Sequence, residues 1–162
     1  MLEQEIRTQA EAAKEASYTL AGLRADVRNA ALCAMADALM AHRDEILHAN
    51  AVDVEEAEKA GMRLSYLDRL RLDDGRITSM ADGLRLTAAL PDPLGREDYS
   101  VRRPNGLELR RVRVPLGVVG MIYEARPNVT SDAIGLCLKS GNAVLLRGGS
   151  DALRSNRSIA DI

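Results

Sequence analysis

The sequence predicts an α/β protein in which a helical first part leads into the start of a parallel sheet, and three observations carry that reading. Apolar residues recur at three- and four-residue spacing through the first half, as amphipathic helices require. The period changes after Pro104-Asn105-Gly106, where Asn-Gly marks a turn. Beyond it, two short apolar runs rich in β-branched residues each lead into a helical stretch. The order strand, helix, strand, helix implies parallel pairing.

In chain order, the first helix carries Ile6, Ala10, Ala13, Ser17 and Leu20, and Gly22 marks the turn after it. A second stripe runs Val27, Ala31, Ala34, Met35, Ala38, Leu39, Ile46. A third helix is expected after Asn50, with Asp53, Glu55 and Glu56 in its first turn and Gly61 as a left-handed cap beyond Lys59-Ala60. Asp73 and Asp74 offer N-caps to a helix whose inner face is Ile77, Met80, Ala81, Leu84 and Ala88. Pro91-Asp92-Pro93-Leu94-Gly95 ends the helical part, dividing the chain into 1–95 and 96–162. Leu107, Leu109, Val112 and Val114 mark a strand whose neighbours Arg102, Arg103, Arg110, Arg111 and Arg113 must face solvent or a partner. The runs GVVGMIY and AVLLR read as strands buried on both faces, separated by a helix from Ser131 to Ser140 that Gly141-Asn142 stops. A last helix begins in DALRSNRSIADI. A doubly wound sheet needs more than two strands, so a truncated part of a larger domain is expected.

Composition narrows the function classes. With 46 % hydrophobic residues in 162, one ordinary domain can build a core without Phe or Trp. The 22 Lys+Arg and 24 Asp+Glu are mixed along the helices, which gives no reason to expect nucleic acid or a membrane surface as partner. The start MLEQEIRTQAEAAKEA has no apolar signal region, and no window approaches a membrane span, so a cytoplasmic protein is expected. Cys33 and Cys137 lie in apolar stretches without metal-type spacing and read as buried, reduced, structural thiols. His42 and His48 are six apart, wrong for joint metal ligation, and read as surface residues.

Two segments hold candidate chemistry. Arg147, Gly148, Gly149 and Ser150 stand at a strand-to-helix junction, where parallel sheets bind ligands and helix N-termini favour anions. The glycines admit either a phosphate close to the backbone or merely a tight turn, since neither G-x-G-x-x-G nor a P-loop is present. Glu124-Ala125-Arg126-Pro127-Asn128-Val129-Thr130 follows the other buried strand and is placed to meet a ligand. Its plainer reading is an ion pair between Glu124 and Arg126, with Asn128 or Thr130 capping the next helix, and Thr130 is read as that cap.

The strings DRLRLDDGRI, LPDPLG, IYEARPNVTSDA and KSGNAVLLRGG together resemble the glutamyl phosphate reductase family, from about residue 50 to the end, with the first helices agreeing in character. The resemblance implies a Rossmann-like, aldehyde dehydrogenase-like fold, NADPH as hydride donor, and reduction of γ-glutamyl phosphate to glutamate 5-semialdehyde in proline biosynthesis. It implies that Ile122, Tyr123 and Glu124 flank the cofactor together with Arg147, Gly148, Gly149 and Ser150. Arg147 and Ser150 fall where the superfamily has a ribose-contacting lysine and a carboxylate selecting the unphosphorylated ribose, so NADP is expected over NAD. Asn128 becomes a candidate oxyanion donor, although alignment on Pro127 displaces it. The superfamily's nucleophilic cysteine matches neither Cys33 nor Cys137, so this chain is expected to be inactive alone and the complete enzyme to be a homo-oligomer. The competing reading is a stand-alone, non-catalytic nucleotide-binding or oligomerisation module.

Overall fold

The computed structural model describes residues 2–162, and all structural statements concern these. Five helices come first: α1 (Leu2–Gly22), α2 (Ala25–Ala41), α3 (Arg43–Lys59), α4 (Leu64–Leu70) and α5 (Asp74–Ala89). A hairpin of β1 (Glu97–Arg102) and β2 (Glu108–Val112) follows. Then come β3 (Val118–Ile122), α6 (Asn128–Lys139), β4 (Ala143–Arg147), a 3-10 turn (Ser150–Ala152) and α7 (Leu153–Asp161).

The first half holds as helices because their apolar faces find one another. Leu32, Ala36 and Leu39 of α2 meet Ile77, Met80, Ala81, Leu84 and Ala88 of α5, and Ile46 and Ile159 join from α3 and α7. Fully burying one Leu or Ile contributes about 1.5–3 kcal/mol relative to leaving it exposed. The inner face predicted for α5 is thus the observed one, and Asp73 caps it by accepting from Arg76 N. Gly61 takes a φ of 75°, as its C-cap role predicts. Gly135 lets α6 approach α5 closely, since a Cβ there would lie 2.6 Å from a Leu84 methyl.

Several local expectations differ. The second stripe holds at Leu39 and Ile46 but is one residue out of phase before them: Arg28, Leu32 and Ala36 are buried, whereas Val27 and Ala34 are exposed. Arg28 tolerates burial because it donates to Lys139 O and to Asp92 Oδ2, both at 2.7 Å. This shift also puts Cys33 on the outer side, exposed, while Cys137 is buried as expected. The break between α2 and α3 falls at His42, not Asn50. His42 ends one helix by donating its N–H to Ala38 O and starts the next by accepting from Glu45 and Ile46. Both histidines lie on the surface. Helix α4 and strand β1 are elements that the sequence pattern did not predict. Thr130 is no cap, because α6 begins at Asn128 and Thr130 is wholly buried inside it.

The strands form two separate pairs. β1 and β2 run antiparallel around the Asn105-Gly106 turn, and β2 is exposed along its whole length. β3 and β4 run parallel, with α6 as the crossover, in the register Val118↔Ala143 to Ile122↔Arg147. Neither is buried on both faces: β3 has only intermediate and exposed residues, and of β4 only Ala143 is buried. Among the described residues α6 and α1 lie against this pair, and no third strand does. Among the described residues no helix is long and apolar enough to cross a membrane.

Candidate functional site

The carboxyl ends of β3 and β4 stand side by side, because Ile122 is in register with Arg147 and Tyr123 N donates to Arg147 O at 3.1 Å. This brings together the two segments that sequence reading picked separately. Ile122 is 83 % exposed. Arg147 is exposed too, and its side chain has only a long contact of 3.5 Å to Gly148 O. An apolar ledge and an uncompensated cation therefore lie next to each other at the strand ends.

The glycines serve packing inside the protein. A Cβ on Gly148 would collide with the Asn156 amide nitrogen, and one on Gly149 would lie 3.0 Å from Ala125 N. The turn after β4 is thus pressed against the turn after β3, which fixes Glu124 and Ala125 relative to Ser150. Beneath them runs a polar chain that sequence reading missed. Tyr123 Oη and Thr130 Oγ1 are 2.7 Å apart, and Thr130 donates to Asn156 Oδ1 at 3.1 Å. Asn156 Nδ2, buried beside Gly148, has no partner.

The N-terminus of α7 already holds an anion. Asp53 of α3 is 2 % exposed and accepts from Ser155 N at 2.8 Å and from Ser155 Oγ at 2.7 Å. Arg154 reaches Asp53 at 3.2 Å and Glu56 at 2.8 Å. Asp53 lies mid-helix in α3, so its expected place in a first turn is corrected: it caps another helix instead. A ligand at the Gly148–Ser150 turn would meet Arg147 and the turn's own backbone. Asn50, buried nearby, donates to Leu70 O and Ser155 Oγ and accepts from Leu72 N. No spacing in the sequence signals these contacts, whose partners lie up to 105 residues apart.

Asn128 opens α6 and its Nδ2 is 3.5 Å from Asp132 Oδ2, a loose contact. No ion pair joins Glu124 to Arg126; instead Arg126 N donates to Glu124 O at 2.8 Å. Asn128, Arg126 and Asp132 line a cleft of about 480 Å3 together with α4 and α5. Burial pushes the Cys137 thiol above its usual range, away from thiolate chemistry. Among the described residues no group of three or more metal-type ligands exists.

Comparison with known proteins gives one consistent result. The chain is 57 % identical over 155 residues to the gamma-glutamyl phosphate reductase of Heliobacterium modesticaldum, covering 96 % of this chain and 37 % of that one. The crystal structure of the gamma-glutamyl phosphate reductase of Thermotoga maritima superposes with a TM-score of 0.92 at 45 % identity, covering 96 % of this chain and 37 % of that one. An NAD-dependent benzaldehyde dehydrogenase from Corynebacterium glutamicum follows the same fold with a TM-score of 0.68 at 28 % identity, covering 93 % of this chain and 32 % of that one. The chain thus spans about 37 % of the length of the curated relative that it matches. No protein-family model matches it.

Proposed function

For a chain that belongs to the gamma-glutamyl phosphate reductase family, we propose that it forms the cofactor-facing part of an enzyme reducing L-glutamyl 5-phosphate to L-glutamate 5-semialdehyde with NADPH. Phosphate is the other product, and the reaction belongs to proline biosynthesis. The observation that carries this reading is the agreement of both sequence and backbone with reductases over 96 % of the chain.

The strand ends fit a nicotinamide dinucleotide carrying a 2′-phosphate. Arg147 is exposed and has no carboxylate within 4.0 Å, and Ser150 offers a hydroxyl where a carboxylate would repel the phosphate. Ile122 provides a ledge for an apolar ring face, with Tyr123 and Glu124 beside it and Gly148 and Gly149 keeping the two turns close. The bound cofactor supplies the hydride. Asn128 is the candidate donor to the developing oxyanion, since its loose contact to Asp132 leaves the amide free to turn.

Chemistry of this kind also needs a thiolate nucleophile. Cys137 is buried with its thiol raised, and Cys33 sits on the outer side of α2. We therefore expect no reductase activity from this chain alone. Residues 1–95 buttress the site, and 96–162 begin the NADP-binding domain. The exposed, arginine-rich β2 suits contact with another copy in a homo-oligomer, and the cytoplasm is the expected compartment.

The test compares NADPH and NADH binding by the chain before and after Arg147→Glu. NADPH should weaken about tenfold or more and NADH much less, because the carboxylate repels only the 2′-phosphate. Equal weakening of both removes Arg147 from the phosphate contact. A chimera carrying this chain in place of the matching part of the Thermotoga maritima enzyme should reduce NADP with glutamate 5-semialdehyde and phosphate, whereas the chain alone should not.

A further inference from the structure

Four arginines converge on the 480 Å3 cleft between α4, α5 and the start of α6: Arg69, Arg71, Arg76 and Arg126. Two of them are committed within the protein. Arg71 pairs with Glu58 at 2.8 Å, and Arg76 pairs with Asp68 at 3.1 Å while donating to the carbonyls of Asp68 and Arg71. The other two are not. Among the described residues Arg69 has only the Tyr66 ring, 5.6 Å from its centroid, and Arg126 has no carboxylate within 4.0 Å. In α6, just beyond Arg126, Asp132 has no cation within that distance among the described residues, and its side chain hydrogen-bonds only with the Asn128 amide. Loss of water pushes the Asp132 carboxyl above the usual aspartate range. Charges of both signs that face one cleft and do not pair with each other match a ligand that carries both.

We propose, resting on the reductase reading above, that this cleft holds the amino-acid end of the substrate: Arg126 and Arg69 take the α-carboxylate and Asp132 takes the α-ammonium. A guanidinium fork meets a carboxylate with two parallel hydrogen bonds, and an aspartate meets an ammonium as a point charge. The cleft shares Asn128 with the proposed reaction site, so one small molecule is met at both ends. This arrangement selects a zwitterionic amino acid over a plain dicarboxylate of the same length.

The experiment titrates the 162-residue chain with L-glutamate, glutarate and inorganic phosphate, followed by amide chemical shifts. L-Glutamate should bind more tightly than either control, with shifts centred on Arg69, Arg126 and Asp132. Arg126→Gln and Arg69→Gln should each weaken L-glutamate by about tenfold, the loss of one charge-assisted contact. Asp132→Asn should abolish the preference for L-glutamate over glutarate. The same spectra report folding, and Arg126→Lys and Asp132→Glu replace any variant that unfolds, each retaining part of the binding. Equal binding of L-glutamate and glutarate overturns the proposal. So does affinity untouched by the variants, or no L-glutamate binding up to its solubility limit. NADPH binding, measured on the same samples, should be unchanged by all of them. Failure of NADPH to bind while L-glutamate behaves as expected loses the cofactor reading and keeps the cleft; the reverse loses only the cleft.

Discussion

The helical side and the strand side of this molecule treat the same kinds of residue in opposite ways. Leu32, Ile46, Leu70 and Ile77 are 0 % exposed, whereas Leu116 is 86 % and Ile122 83 % exposed. Even the buried polar groups of the helical side are mostly answered: Asn50 makes three hydrogen bonds, and Lys139 donates to Asn29 Oδ1 and Ala88 O. On the strand side Arg147 faces out. Residue type alone does not decide burial. What decides it is whether the chain folds another apolar face back onto the element, and here α2, α5, α6 and α7 do so for one another while the strands receive only α1 and α6.

The sharpest break of this contrast is Leu32→Ala against Ile122→Ala. The first should cost about 2–5 kcal/mol in urea unfolding, and the second should stay within about 0.5 kcal/mol. Similar costs would deny that the helical core dominates stability. Next in size is Asp53→Ala, which strands the Ser155 N–H and should cost about 1–3 kcal/mol. Amide exchange should show α7 losing protection while α2 and α5 keep theirs; uniform loss would mean that α7 is not separately anchored.

Two glycines sharpen the comparison further. Gly149→Ala, with its Cβ 3.0 Å from Ala125 N, should cost about 1–3 kcal/mol through displacement of the turn after β3. Gly22→Ala meets nothing within 4 Å and has no positive φ, so it should gain about 0.4–1 kcal/mol. A neutral Gly149→Ala would show that the two turns are not pressed together.

The smallest effect concerns Asp132. Its carboxyl is raised above the ordinary aspartate value by desolvation, so the folded state holds that proton longer than the unfolded one. Stability is accordingly lost as pH rises from the ordinary aspartate value through the raised one. Asp132→Asn should therefore raise the melting temperature at neutral pH and leave it unchanged in acid below that window. A gain independent of pH would assign the effect to something other than titration.

Much of the helical framework was legible because periodicity reports a face that another helix covers. The Asp73 cap, the Gly61 turn and the inner face of α5 follow from local chemistry alone. The phase of α2 was not legible, since its buried stripe includes Arg28, whose partners Lys139 and Asp92 lie far along the chain. The break at His42 carries no glycine or proline. Apolar runs suggested strands buried on both faces, but a run records the capacity for burial, and the described chain covers β3 and β4 only in part. The two segments at the strand ends were legible as loops after strands. Their shared floor of Tyr123, Thr130 and Asn156 was not, because Thr130 reads locally as a cap.

The link from Asp53 to Ser155 spans 102 residues, and the link from Arg28 to Lys139 spans 111. On a ribosome the chain emerges from its first residue onward, so α2 and α3 leave the tunnel long before their polar partners exist. Until residue 155 is out, the Asp53 carboxylate lacks its partners Arg154 and Ser155, and Ile159 has yet to join the core. Closing such long loops is slow compared with forming the helices themselves. Synthesis therefore holds back the completion of this core: the first helices form early, and their final docking waits for α7 to be made.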